Sequence, residues 1–246
     1  MAKSEKKFKI AYDVDGSLLA SERAVLDAAN DRLKYFGYDR TILKSDLNKY
    51  DALYYLVHQI TESETLATEI RNYWFNPEIL RKSPPNPVLI EVFNRLHQFS
   101  DISQVVITSR PVSSCGATIH SLTENIPYIN WTCANPQKLF IRATNDVGVS
   151  GTVYKLEQIG KQKVNYLFDD GPVDIHQLQI LYPECAYSYI TQPWNKEEGY
   201  DKDNPFRISL DNDSPDSIIF KVLKAKEKYL SSLPSTRTSK PRSVAN

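Results

Sequence analysis

An apolar run over residues 8–14 that gives way to Asp13-x-Asp15-Gly16 constrains this chain more than any other feature. A run that is apolar on both faces belongs to a strand buried within a parallel sheet. On an extended strand, residues two apart point to the same side, and a glycine lets the chain turn away just beyond them. The spacing therefore predicts two carboxylates at the carboxyl end of a central strand, the rim on which open α/β sheets form their binding crevices. Taken alone, the four residues also fit an ordinary acidic turn.

The rest of the chain repeats the pattern. Ala24, Leu26, Ala28, Ala29, Leu33 and Phe36 suit a helix with Ser21 as its N-cap and Gly37 at its end. Residues 47–60 and 63–75 also read as helical, and Pro84-Pro85-Asn86-Pro87 is rigid punctuation before a helix over 88–99. A helical insertion over 19–82 is thus expected between the first strand and the others. A second strand over 102–107 runs into Thr108-Ser109-Arg110-Pro111, a helix over 113–124 follows, and the alternation over 128–133 predicts a third strand. Residues 134–152 give no clear period, although Asn145-Asp146-Val147-Gly148 suggests a loop or hairpin. A helix over 153–163 leads to a fourth strand over 164–168, which ends in Asp169-Asp170-Gly171-Pro172. After a helix over 173–181, a fifth strand over 185–190 ends in Thr191-Gln192-Pro193-Trp194-Asn195. A last helix spans 215–230, and the Ser/Thr/Pro/Lys/Arg-rich stretch 231–246 is expected to be disordered.

Strands alternating with helices imply an α/β fold with a mostly parallel sheet and right-handed crossovers. All strand carboxyl ends then share one rim. Asp13 and Asp15, Thr108, Asp169 and Asp170, and residues 192–195 each follow a strand, so four polar clusters converge there. Carboxylates so gathered suit a hard cation such as Mg²⁺ together with a phosphate.

Composition removes other classes. Lys plus Arg and Asp plus Glu both number 30, so the chain carries no global basic footprint for polynucleotide or anionic lipid. No apolar run approaches the ~18 residues of a membrane helix. The charged start lacks the apolar core of a signal peptide. Three widely spaced cysteines count against a disulfide framework and favour a reducing, cytoplasmic setting, and four scattered histidines count against zinc. A length of 246 residues suits one domain plus an insertion.

Four motifs in order, Asp13-x-Asp15-Gly16, the apolar strand ending in Thr108, Lys155, and Phe168-Asp169-Asp170, resemble those of haloacid dehalogenase (HAD) superfamily phosphohydrolases. The insertion resembles the C1-type helical cap of that superfamily. The resemblance implies a Rossmann-like parallel-sheet core over 8–18 and 83–230, a cap over 19–82, and Mg²⁺-dependent phosphomonoester hydrolysis. It implies Asp13 as nucleophile, forming an aspartyl-phosphate, and Asp15 as general acid and base. Thr108, Ser109 and Lys155 would hold the phosphate. Asp13, Asp170 and the backbone carbonyl of Asp15 would bind the metal, and Asp169 and Asp174 would brace it from behind. Lys161 and Lys163 fall at a helix end and read as solvent-facing, His176 as helix surface, and Arg110 as more often a salt-bridge residue than a phosphate ligand.

The substrate is less constrained. The insertion is rich in aromatics, including Tyr54, Tyr73, Trp74 and Phe75, whose faces can stack on bases. Gln192-Pro193-Trp194-Asn195 and the Thr-Ser-Arg-Pro strand end resemble elements of the 5'(3')-deoxyribonucleotidase-like group, although Lys155 lies farther from the Asp-Asp pair than in that group. That resemblance implies a nucleotidase acting on nucleoside monophosphates, with a small phosphorylated metabolite rather than a polynucleotide or membrane as partner. A phosphatase for another small ester or a nucleic-acid end, and a non-catalytic binding module, are the other readings.

Overall fold

The computed structural model describes residues 7–49, 51–132, 138–142, 150–195 and 207–233, without the side chains of residues 172–174. Six parallel strands form one sheet in the order β3-β2-β1-β4-β5-β6. They are β1 (Phe8–Tyr12), β2 (Ile102–Pro111), β3 (Leu139–Arg142), β4 (Tyr166–Asp169), β5 (Ala186–Ile190) and β6 (Arg207–Ile208). β1 lies between β2 and β4, with Tyr12 in register with Val106 and with Phe168. The central position expected from its two-sided apolar character follows.

Alternation along β1 divides the core. Phe8, Ile10 and Tyr12 pack against α5 (Pro87–Leu96) and α9 (Pro215–Ser232), through Leu89, Val92, Phe93, Ile218 and Val222. Ala11, on the other face, packs with Leu156 and Ile159 of α7 (Gly151–Gln162) and Ile175 and Leu178 of α8 (Pro172–Leu181). Tyr12 stacks on Phe168 with ring centres 4.8 Å apart, and its hydroxyl donates to Gln104 Oε1 at 2.6 Å, so the buried phenol is satisfied.

The segment between β1 and β2 also carries α1 (Ser21–Tyr35), α2 (Ala52–Thr61), α3 (Glu64–Arg71) and the short α4 (Pro77–Leu80). Its incoming and outgoing chains run side by side, with Ala20 N–H donating to Pro84 O and Asn86 N–H to Leu18 O. α1 to α3 bury their own cluster, including Val25, Leu33, Leu53, Val57, Leu66 and Ile70. Gly37 ends α1 at φ +82° as expected, and Ser63 caps α3 by accepting the Leu66 N–H. Ser21 does not cap α1; it is the first helical residue and its hydroxyl accepts from Arg110 instead.

Other expectations change as well. The third strand is Leu139–Arg142, not 128–133; Ile129 and Trp131 alternate because they plug the core from an irregular segment, with Trp131 Nε1 donating to Ile126 O. β2 runs on to Pro111, past the expected end at 107, because β3 continues to pair with it across an irregularity between Thr108 and Pro111. A sixth strand, β6, joins the five expected. Cys115 is disulfide-bonded, although cysteine spacing counted against a disulfide framework, whereas Cys185 is a buried thiol. α9 reaches Ser232, two residues into the expected tail; residues 234–246 and the expected turn at 145–148 lie outside the described residues. Among the described residues, no helix is long and apolar enough to cross a membrane.

Candidate active site

Sheet parity explains why the polar clusters meet. Asp13 continues the Ala11 side of β1, and Asp169 continues the Leu167 side of β4; both Ala11 and Leu167 face α7. Lys155 stands on α7 one residue before Leu156, which packs against that same face. Its Nζ lies 3.1 Å from Asp13 Oδ2 and 2.8 Å from Asp169 Oδ2, with all three residues buried. Lys161 and Lys163, further along, are exposed.

Asp13, Asp169 and Asp170 bring one carboxylate oxygen each to within 4.8 Å of one another. Asp169 Oδ1 also accepts the Gly171 N–H at 2.8 Å. Burial, then the neighbouring Asp169 and Asp13 carboxylates, push the Asp170 carboxyl well above the usual range. Three buried carboxyls with oxygens this close to one another fit an oxygen-liganded divalent ion, whose charge would offset their mutual repulsion. Asp169, expected behind the metal, is thus as close to the cluster as Asp13 and Asp170.

Asp15 lies apart from this group. Arg110 Nε donates to both its oxygens, at 3.1 and 3.0 Å, and Nη2 to Oδ1 at 2.6 Å. Burial would raise its carboxyl, but the Arg110 guanidinium overrides this and holds it below the ordinary value. Arg110 is anchored from two further elements, donating to Ser21 Oγ at 2.9 Å and to Thr118 Oγ1 at 3.0 Å, the latter on α6 (Cys115–Asn125).

The acid cluster opens into a cavity of about 420 Å³. Its floor includes Asp13, Asp15, Asp170 and Lys155, and its roof comes from the insertion: Lys49, Tyr54, Arg71, Trp74 and Phe75. Residues 192–195 close the back. Gln192 Nε2 donates to Gly16 O at 2.8 Å, Trp194 Nε1 to Asp170 Oδ2 at 3.1 Å and Asn195 Nδ2 to Asp170 O at 3.0 Å. The salt-bridge reading of Arg110 holds, with Asp15 as its partner; the sequence signals of 192–195, their place after a strand and their resemblance, do not name Gly16 or Asp170 as the groups they bond.

Thr108 and Ser109 separate at this cavity. Ser109 has the α7-facing parity of Val105 and Ile107, and a Cβ on Gly151 would sit 2.7 Å from Ser109 Cβ, so only glycine lets α7 start this close. Thr108 has the opposite parity, is fully buried, and accepts the Arg110 N–H on its Oγ1 at 3.2 Å. Ser109 lines the cavity, and Thr108 is not among its lining residues. The side chain of Asp174 lies outside what the structure describes, and His176 is exposed.

No protein-family model and no curated protein matches the sequence. Solved structures do match in shape. A predicted phosphatase from Clostridium acetobutylicum aligns with a TM-score of 0.57 at 14% identity, over 89% of this chain and 99% of its own. A haloacid dehalogenase-like hydrolase from Streptococcus pneumoniae gives 0.56 at 13% identity, over 89% and 98%. The chain shares the α/β fold of these haloacid dehalogenase-like neighbours. A third neighbour is a predicted phosphoglycolate phosphatase from Haemophilus somnus, at 0.51 and 14% identity over 77% of this chain and 88% of its own. At such identities the likeness concerns the fold.

Proposed function

We propose that this protein is a phosphomonoester hydrolase that uses Mg²⁺ and acts through an aspartyl-phosphate, with the segment over 19–82 as its cap. The observation that carries the reading is Lys155 buried between Asp13 and Asp169, with Asp170 beside them, at the floor of a cavity. Asp13 attacks phosphorus and the P–O bond to the leaving group breaks; because Arg110 favours the ionised form of Asp15, Asp15 relays to the departing oxygen a proton that the ester brings in as its monoanion. Asp15 then accepts a proton from the water that attacks the phosphoryl group and releases Asp13. Lys155 offers a point charge to the phosphate, and Ser109 lies at the cavity wall to hold it. Asp13, Asp170 and the Asp15 carbonyl would hold Mg²⁺, whose charge would let an anionic nucleophile meet an anionic ester.

Nucleoside monophosphates are the favoured substrates, because Tyr54, Trp74 and Phe75 line the cavity opposite the acids and aromatic faces stack on bases. Lys49 in the same roof, beside Arg71 paired with Asp51 at 3.3 Å, favours a second reading, a small ester with a further anionic group, such as the phosphoglycolate for which the Haemophilus neighbour is named. A phosphate-release screen over nucleoside monophosphates, sugar phosphates and 2-phosphoglycolate separates them. Turnover best on nucleotides supports the first; equal turnover of nucleotides and sugar phosphates overturns it, and no Mg²⁺-dependent release from any ester overturns the hydrolase reading itself.

A further inference from the structure

Trp194 belongs to two parts of the molecule at once. Its ring is buried in the same cluster as Leu47, Leu53 and Val57 of the helical insertion. Its indole N–H reaches the other way, to Asp170 Oδ2 at 3.1 Å. That same oxygen lies hard by Gly16, where an added Cβ would be 2.3 Å away and where φ is +67°. Gly16 is itself pinned, its carbonyl accepting from Gln192. Asn195 holds the Asp170 main chain and is held in turn by Arg207 Nη2, which donates to Asn195 O at 2.7 Å. One oxygen of the Asp170 carboxylate is therefore met both by the close approach of Gly16 and by the Trp194 indole N–H.

We propose that Trp194 is a positioning residue for cation binding: its indole N–H fixes the rotation of the Asp170 carboxylate against Gly16. The inference rests on the proposed hydrolase function, in which Asp170 is a ligand. Groups that hydrogen-bond a ligating carboxylate orient it, and their loss commonly costs about 10–100-fold in metal affinity. An N–H fixed by a ring embedded in a packed cluster does this better than a mobile surface donor, because the ring has no room to rotate.

The test is direct titration of the full chain with Mn²⁺, followed by water-proton relaxation, so that catalysis is not needed as a readout. Trp194→Phe keeps an aromatic ring in the cluster and removes the donor; Mn²⁺ affinity should fall about tenfold or more. Leu66→Ala, which loosens the same cluster away from the indole, should leave Mn²⁺ affinity unchanged. Equal weakening in both variants would assign the effect to packing and overturn the proposal, as would unchanged affinity in Trp194→Phe. A wild-type chain that binds no Mn²⁺ overturns the hydrolase reading as well. Should Trp194→Phe not fold, the wild-type indole N–H resonances, assigned through Trp74→Phe and Trp131→Phe, decide the matter: that of Trp194 moves on adding MgCl₂, and a stationary resonance refutes the role.

Discussion

Arg110 grips both carboxylate oxygens of Asp15, with Nη2 2.6 Å from Oδ1 and Nε 3.0 Å from Oδ2, and is itself tied to Ser21 and Thr118. The guanidinium is almost wholly buried, whereas the Asp15 side chain keeps 29% of its exposure. The pair therefore fixes where Asp15 stands without sealing it from a substrate.

Arg110→Lys is expected to keep a charge but lose the two-pronged grip, because an ammonium cannot reproduce the planar fork. Misplacing a reacting group by about 1 Å can cost about 10²-fold. Steady-state kinetics on p-nitrophenyl phosphate should show kcat falling towards that extent with KM little changed. An unaltered kcat would remove Arg110 from any role in placing Asp15.

Lys155→Met should destabilise the metal-free protein by about 3–5 kcal/mol, the usual cost of stripping a buried ion pair of one partner. Asp13 and Asp169 would be left as close, buried like charges. Chemical denaturation in EDTA measures this, and adding Asp169→Asn to the same variant should recover part of the loss.

Asp13→Asn should abolish phosphate release while far-UV circular dichroism stays that of the wild type, since the side chains are similar in size. EDTA should silence the wild-type enzyme and Mg²⁺ restore it. Turnover retained by Asp13→Asn would refute the nucleophile assignment.

Asp170 gives a pH prediction. Its folded-state pKa is raised, by burial first and then by Asp169 and Asp13. The folded state thus binds its proton more tightly than the unfolded chain does. That contribution is fully present below the unfolded value, near 3.8, and is lost as pH rises through the raised one. In EDTA, Asp170→Asn should therefore melt higher than wild type at neutral pH, by about 2–4 °C per kcal/mol, and the advantage should vanish in acid. Thermal scans from pH 4 to pH 8 check this; with Mg²⁺ present, the wild type should gain and the variant should not.

Replacing Trp74 or Phe75 by Ala should raise KM for nucleoside monophosphates by the equivalent of about 1–3 kcal/mol if either ring stacks on a base. KM for p-nitrophenyl phosphate should change far less. Parallel increases for both substrates would count against base recognition.

The primary structure alone determined the strands that matter most. Phe8 to Tyr12 is apolar on both faces and Tyr166 to Phe168 and Ala186 to Ile190 are largely apolar, so their burial is written locally, and polar residues directly after them mark one rim by the geometry of parallel sheets. Lys155 was legible too, by its place on the helix before the fourth strand. What only the tertiary structure decided involves residues far apart in the chain. Ser21 looked like a helix cap, yet its hydroxyl serves Arg110, 89 positions away. Trp194 was placed at the rim by the strand before it, yet only packing shows that it joins the buried cluster of the insertion and donates to Asp170. Ile129 and Trp131 alternate like a strand but have none beside them, since the edge of β2 is taken by Leu139 to Arg142. Periodicity reports which side of a segment is apolar; it carries no information about which distant group will meet a given hydroxyl, indole or strand edge, because that pairing is set by how the layers pack.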